Sequence, residues 1–193
     1  VSGTIGSCTW TLNGTVLTIR GNGSMGYDVG SPWGTGITEL IIEEGVTDIA
    51  NSTFSNCASL RKVTFPKSLR SIGAMSFRQC VSLTSLIIPE GVIAIENGAF
   101  SGCTALVDVT IPKTVTSLGE EFFTDCISLI SISIDENNPS FKSVDGVVFS
   151  KDMTKLIKYP QDKAGMSYTV PDTVTEISAK AFYKANHSSV RDF

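Results

Sequence analysis

The chain has 193 residues, 41% hydrophobic and 18% charged, enough for one domain or a short array of coils sharing a core. A net charge of −4 without any Lys/Arg-rich run removes the electrostatic footprint that nucleic acid or an anionic membrane surface requires. No apolar run approaches the ~20 residues that span a bilayer, and Val1 opens without a charged and apolar leader, so the expectation is a soluble chain with no membrane insertion, any export signal preceding this numbering.

Residues 1–36 read as a cap outside the repeat that follows. In the stretch from Cys8 to Ile19, Asn13-Gly14 is a strong two-residue hairpin signal, because both turn positions need positive φ. Folding about it predicts Trp10 opposite Leu17, Cys8 opposite Ile19 and Leu12 opposite Thr15, with Trp10 and Leu17 on one face closing the end of a core. A Gly-rich segment from Gly21 to Gly36, holding Pro32 and Trp33, then leads into the first coil.

From Ile37 a register of 23 residues is fixed: Phe54, Phe77, Phe100 and Phe123 recur at that interval, each followed three residues later by Cys57, Cys80, Cys103 and Cys126. Four copies run 37–59, 60–82, 83–105 and 106–128. A period of 20–30 residues with paired apolar positions belongs to units that cannot bury their own apolar face and must stack. Segments such as Val63-Thr64-Phe65, Leu86-Ile87-Ile88 and Val109-Thr110-Ile111 alternate with period two and predict strands of a parallel sheet. Pro66, Pro89 and Pro112 follow them and, lacking an N–H, end the ladder. A second apolar pair at Val46/Ile49, Leu69/Ile72, Val92/Ile95 and Val115/Leu118 predicts a second short strand or extended turn. The i, i+3, i+6 spacing of Phe, Cys and Leu predicts a single helical or 3₁₀ turn, as in Ser52–Cys57.

The fifth copy, from Leu129, is longer than its predecessors. The positions matching Ile132 and Ile134 come 36 residues later, at Tyr168 and Val170, and residues 135–163 read as a β-hairpin that enlarges the coil and projects from it. A sixth copy, starting near 165, runs through Val170, Val174, Ile177 and Phe182, after which Ser188 stands where leucine is due. The predicted fold is a leucine-rich repeat solenoid, mainly β with short helical or 3₁₀ turns: a right-handed stack of about six coils (starts near 37, 60, 83, 106, 129 and 165) behind an N-terminal β-hairpin cap.

The unit from Leu60 to Cys80, Leu-x-x-Val-x-Phe-Pro-x-x-Leu-x-x-Ile-x-x-x-x-Phe-x-x-Cys, resembles the BspA-like leucine-rich repeats of bacterial and protozoan surface proteins. The cap phrase from Trp10 to Ile19 with Ser31-Pro32-Trp33, and the segments 145–149 and 156–160, are similar to parts that accompany such arrays. The resemblance implies an extracellular or cell-surface setting and adhesion or partner binding without a fixed ligand.

Few residues suggest chemistry. The Phe ladder reads as core packing and the Cys ladder as small, buried free thiols at an inner corner, since no short metal-ligand spacing such as C-x₂-C occurs. His187 is the sole histidine and has no nucleophile motif nearby, so no enzyme, cofactor or metal site is expected. Asp135-Glu136 with Asn137, Asn138 and Asp145 supplies hard oxygens but lacks the EF-hand spacing, and reads as solvated turn. What remains is surface. On the predicted sheet the outward residues are Ile41, Thr64, Ile87, Thr110, Ser133 and Thr169, flanked by Glu39, Lys62, Ser85, Asp108 and Ser131, and this is the candidate partner-binding face. The expected partner is a protein or glycan on a host or neighbouring cell; the projecting hairpin is a second candidate, and a structural spacer with weak end-to-end self-association is the alternative role.

Overall fold

A computed structural model describes residues 1–26, 31–165, 167–186 and the backbone of 189–191. Period-two alternation and paired apolar positions are resolved into a β-solenoid of about seven turns, and no helix occurs among the described residues.

Strands β1 (Ser2–Ile5), β2 (Cys8–Asn13) and β3 (Val16–Gly21) form an antiparallel meander, one strand more than a hairpin. The turn is Gly14-Thr15, with Gly14 at φ 60°, so Trp10 faces Ile19, Cys8 faces Gly21 and Leu12 faces Leu17. The register differs by two residues from the expected one. Because the side-chain period is also two, Trp10 and Leu17 still point to the core. The meander also moves the boundary of the stack: β3 pairs in parallel with β5 (Glu39–Ile42), Val16 opposite Glu39, and β4 (Gly23–Ser24) pairs with β6 (Val46–Ile49). Coil geometry thus begins at Val16, inside the segment expected to be all cap.

The following coils supply β7 (Lys62–Thr64) and β8 (Ser71–Ile72), β9 (Ser85–Ile87) and β10 (Ala94–Ile95), β11 (Asp108–Ile111) and β12 (Ser117–Leu118). The second strands stack continuously in the order β12-β10-β8-β6-β4. The predicted helical corner is instead a ladder of turns. In each coil two residues four apart adopt positive φ, as in Ser52 and Asn56, Met75 and Gln79, Gly98 and Gly102, or Glu121 and Asp125. Alternate amides cross to the next coil, Phe54 N–H to Ser76 O at 2.8 Å and Asn56 N–H to Arg78 O at 2.7 Å, while those between close tight turns, Ser55 N–H to Ser52 O at 3.1 Å. Cross-coil bonding satisfies the backbone better than an isolated helical turn, whose end groups would be orphaned.

The core is a column. Phe54, Phe77, Phe100 and Phe123 are fully buried and stack face to face with centroids 5.2–5.5 Å apart. Trp33 continues the column onto Phe54 at 5.4 Å, and Trp10 closes it edge-on at 5.7 Å. The thiols rise beside it as free cysteines, Cys80, Cys103 and Cys126 donating to the carbonyls of Phe54, Phe77 and Phe100 at 3.2–3.3 Å.

The enlarged coil is folded inward rather than projecting. After β13 (Ser131–Ile134) come β14 (Phe141–Val144), β15 (Val147–Ser150) and β16 (Lys155–Lys158). Val147, Val148 and Phe149 have no exposed surface, so β15 is buried on both faces. Val148 packs into the column built by the preceding coils, whereas Val147 and Phe149 belong to a second cluster with Leu156, Tyr159, Val170 and Val174. The last coil contains β17 (Ser167–Thr169) and β18 (Glu176–Ile177), and β19 (Ser189–Arg191) pairs in parallel with β17. His187 and Ser188 lie outside the described residues.

Candidate binding face

The predicted face divides in two. Rungs β3, β5 and β7 form one sheet with the cap, and β9, β11 and β13 another; β7 and β9 are not paired. Phe65 accounts for the parting: it occupies the position of Ile88 and Ile111, and its ring, set edge-on to Phe77 at 5.9 Å, stays half-buried where those isoleucines are buried. A ring needs more room than an isoleucine side chain at this inner corner, and the rung lifts instead of closing. Val63 is accordingly half-buried, unlike Leu40, Leu86, Val109 and Ile132.

Each candidate side chain is where alternation placed it, but exposure varies. Lys62, Thr64, Ser85, Ile87, Asp108, Thr110 and Ser133 are exposed, and Glu39, Ile41 and Ser131 are half-buried. Ser131 is covered by the β14–β15 turn, which sits so close that a side chain at Gly146 would strike the serine hydroxyl. On the first half Lys62 Nζ meets Glu39 at 2.7 Å, an exposed pair that contributes little to stability. On the second half Ile87 is 73% exposed, framed by the hydroxyls of Ser85 and Thr110 and by Asp108, which has no ion-pair partner among the described residues.

Several carboxylates are held by the fold. Glu43 binds Arg20 at 2.8 Å, while Glu44 accepts the amides of Lys67 and Ser68, which hold its carboxyl below the usual range. Glu121 pairs with Lys180 at 2.6 Å. Asn138, in the loop considered for hard oxygens, is fully buried, donating to the carbonyls of Pro112 and Val115 and accepting the amides of Ser140 and Phe141. It is a bracket between coils, with no oxygen left over for a cation.

Burial pushes the Cys57 thiol up to about 11 and that of Cys126 to about 12, and raises Cys80 and Cys103 further still, so the ladder is protonated and unreactive at neutral pH. A residue that the sequence reading passed over stands beside it. Lys158 is 4% exposed, its Nζ has no hydrogen-bond partner among the described residues, and burial lowers its pKa against the opposing pull of Cys126 and Asp125. Strand alternation with Leu156 was the available signal, since residues two apart on β16 share the inner face. Lys158→Met is expected to stabilise the fold by about 1–2 kcal/mol at neutral pH, because an unpaired amine is removed from a buried site. A urea midpoint unchanged or lowered in that variant refutes it.

The BspA type leucine-rich repeat region matches in six copies over residues 33–155. The chain belongs to this family. No curated protein sequence matches it. Among solved structures, a leucine-rich repeat protein from Eubacterium ventriosum superposes with a TM-score of 0.74 at 23% identity over 98% of this chain and 59% of its own. The pneumococcal vaccine antigen PcpA does so with 0.63 at 22% identity over 97% and 63%, and a Bacteroides ovatus leucine-rich repeat protein with 0.59 at 20% over 94% and 62%. These likenesses establish a shared fold, and the chain spans about three-fifths of the length of each of these relatives.

Proposed function

We propose that this BspA type array is a non-enzymatic, extracellular or cell-surface binding module that engages a protein or glycan partner through the second half of the sheet face, on β9, β11 and β13. The observation that carries the reading is Ile87: a side chain this apolar, 73% exposed on a strand fixed by the pairing of β9 with β11, is a preformed anchor ringed by hydroxyls. An anchor on a rigid strand loses little entropy on binding. The pneumococcal vaccine antigen among the structural relatives supports the setting.

Binding to an array of extracellular matrix proteins and glycans is expected to be lost in Ile87→Asp and weakened several-fold in Thr110→Asp, with far-ultraviolet spectrum and urea midpoint unchanged, because both side chains face solvent. Retention of binding by both variants defeats the reading.

A specific observation favours self-assembly as a second role. Ile177 is 37% exposed in the last coil, whereas Ile49, Ile72 and Ile95, at the equivalent position of earlier coils, are at most 2% exposed. An apolar side chain left open on the last coil gives a second copy a surface on which to pack. Light scattering during gel filtration separates the roles, since Ile177→Lys removes concentration-dependent association only if this end of the stack is the contact.

A further inference from the structure

The inward fold of the hairpin interrupts the second sheet. In earlier coils each second strand hands its outer carbonyls to the next: Ile93 O accepts the Thr116 amide at 2.9 Å and Ile95 O the Gly119 amide at 2.7 Å. One coil later this stops. Strand β12 pairs with β10 alone, and the equivalent carbonyls of Thr116 and Leu118 receive no amide among the described residues. Asn138 brackets the carbonyls of Pro112 and Val115 just upstream, so the unpaired edge is confined to the residues of β12 itself.

Beyond that edge lies a groove of about 440 Å³ between β12 and the sheet of β14, β15, β16 and β18. Its apolar lining includes the half-buried Leu118, Phe141 and Ile157, the buried Phe122 and the more exposed Ile177. Around it stand Glu120, Glu121 and Glu176 against a single amine, Lys155, which is bound to Glu176 at 2.5 Å. Glu121 is held by Lys180, which leaves Glu120 exposed and without an ion-pair partner among the described residues. An unpaired strand edge, an apolar floor and an acidic rim together describe one kind of occupant.

We propose that this groove accepts an extended segment of a partner protein as an added parallel strand on β12. Its amides would be donated to the carbonyls of Thr116 and Leu118, a large apolar side chain would sit over Leu118 and Ile157, and Lys or Arg would lie against Glu120. Strand addition draws affinity from main-chain bonds and specificity from alternate side chains, which this arrangement supplies. The site lies on the second sheet, away from Ile87, and is independent of the face proposed above.

The test is a titration of the isotope-labelled protein with the acetylated, amidated pentapeptide Thr-Lys-Ile-Lys-Thr, followed by amide chemical shift and hydrogen exchange. Saturable shifts at Leu118, Gly119 and Ile157 are expected at peptide concentrations of about 1 mM, with about tenfold slower exchange at the Leu118 amide near saturation. Glu120→Gln should weaken binding several-fold, and the same peptide N-methylated at both lysines, which cannot donate to the carbonyls, should not bind. Ile87→Asp should leave the titration unchanged, separating this site from the sheet face. The proposal is overturned if the N-methylated peptide binds equally, or if no shift appears at Leu118 and Gly119.

Discussion

Phe100→Ala is expected to lower the stability of the fold by about 3–5 kcal/mol, the range for truncating a fully buried aromatic. Phe100 lies in the middle of the column, 5.2 Å from Phe77 with rings 6° from parallel and 5.5 Å from Phe123. Its removal leaves a cavity that cannot collapse without pulling two coils together, and coil spacing is fixed by backbone bonds such as Phe77 N–H to Ala99 O and Phe100 N–H to Phe122 O. The loss should therefore sit at the upper end of that range and appear as a lower urea midpoint with an unchanged slope. Ile87→Ala, on an exposed position, should change stability by less than about 0.5 kcal/mol. A Phe100→Ala loss under about 1 kcal/mol would refute the continuous column.

The second large effect is alkaline. Cys57, Cys80, Cys103 and Cys126 have folded pKa values raised by burial, to about 11 for Cys57 and about 12 for Cys126, and higher for the two between. An unfolded thiol ionises near 8.5, so the folded state holds these protons where the unfolded state releases them. Their contribution is fully present below about pH 8.5 and is lost as pH rises toward the folded values. Each thiol costs about 1.4 kcal/mol per pH unit in that window, and the four together about 6 kcal/mol one unit above the unfolded value. Urea midpoints at pH 8 and 10 under reducing conditions test this. Wild type should lose most of its stability, and Cys103→Ala should lose about 1.4 kcal/mol less per pH unit. Equal alkaline losses in the two proteins would show that the ladder is not the cause.

The column was legible because stacked coils repeat one environment: Phe54 and Cys57 at intervals of 23 can mean little else. The face was legible because strand alternation is binary, and even a two-residue slip in the cap register left Trp10 on the inner side. Local geometry without a repeat-level consequence was less readable. The i, i+3, i+6 spacing at Phe54, Cys57 and Leu60 fits a helical turn, yet the chain reaches it through left-handed residues such as Ser52 and Asn56, which leave no side-chain signature because serine, methionine, glutamate and lysine all occupy the position. The inward hairpin did carry a signal, since Val147-Val148-Phe149 is a continuous apolar run and an exposed strand would alternate. The parting of the sheet at Phe65 and the groove beside β12 depend on how neighbouring coils fit, which no single repeat encodes.

The sharing of β15 between two clusters bears on cooperativity. Solenoids can fray from an end one unit at a time, because each unit touches only its neighbours. Here the last units cannot peel away alone: Val147 and Phe149 would be stripped of cover, and release of the strand that carries them would also pull Val148 from the column. The hairpin works as a dowel set across a joint, so residues 129–186 should exchange their amides as one block with the Phe123 coil, in place of the graded opening that a regular array shows.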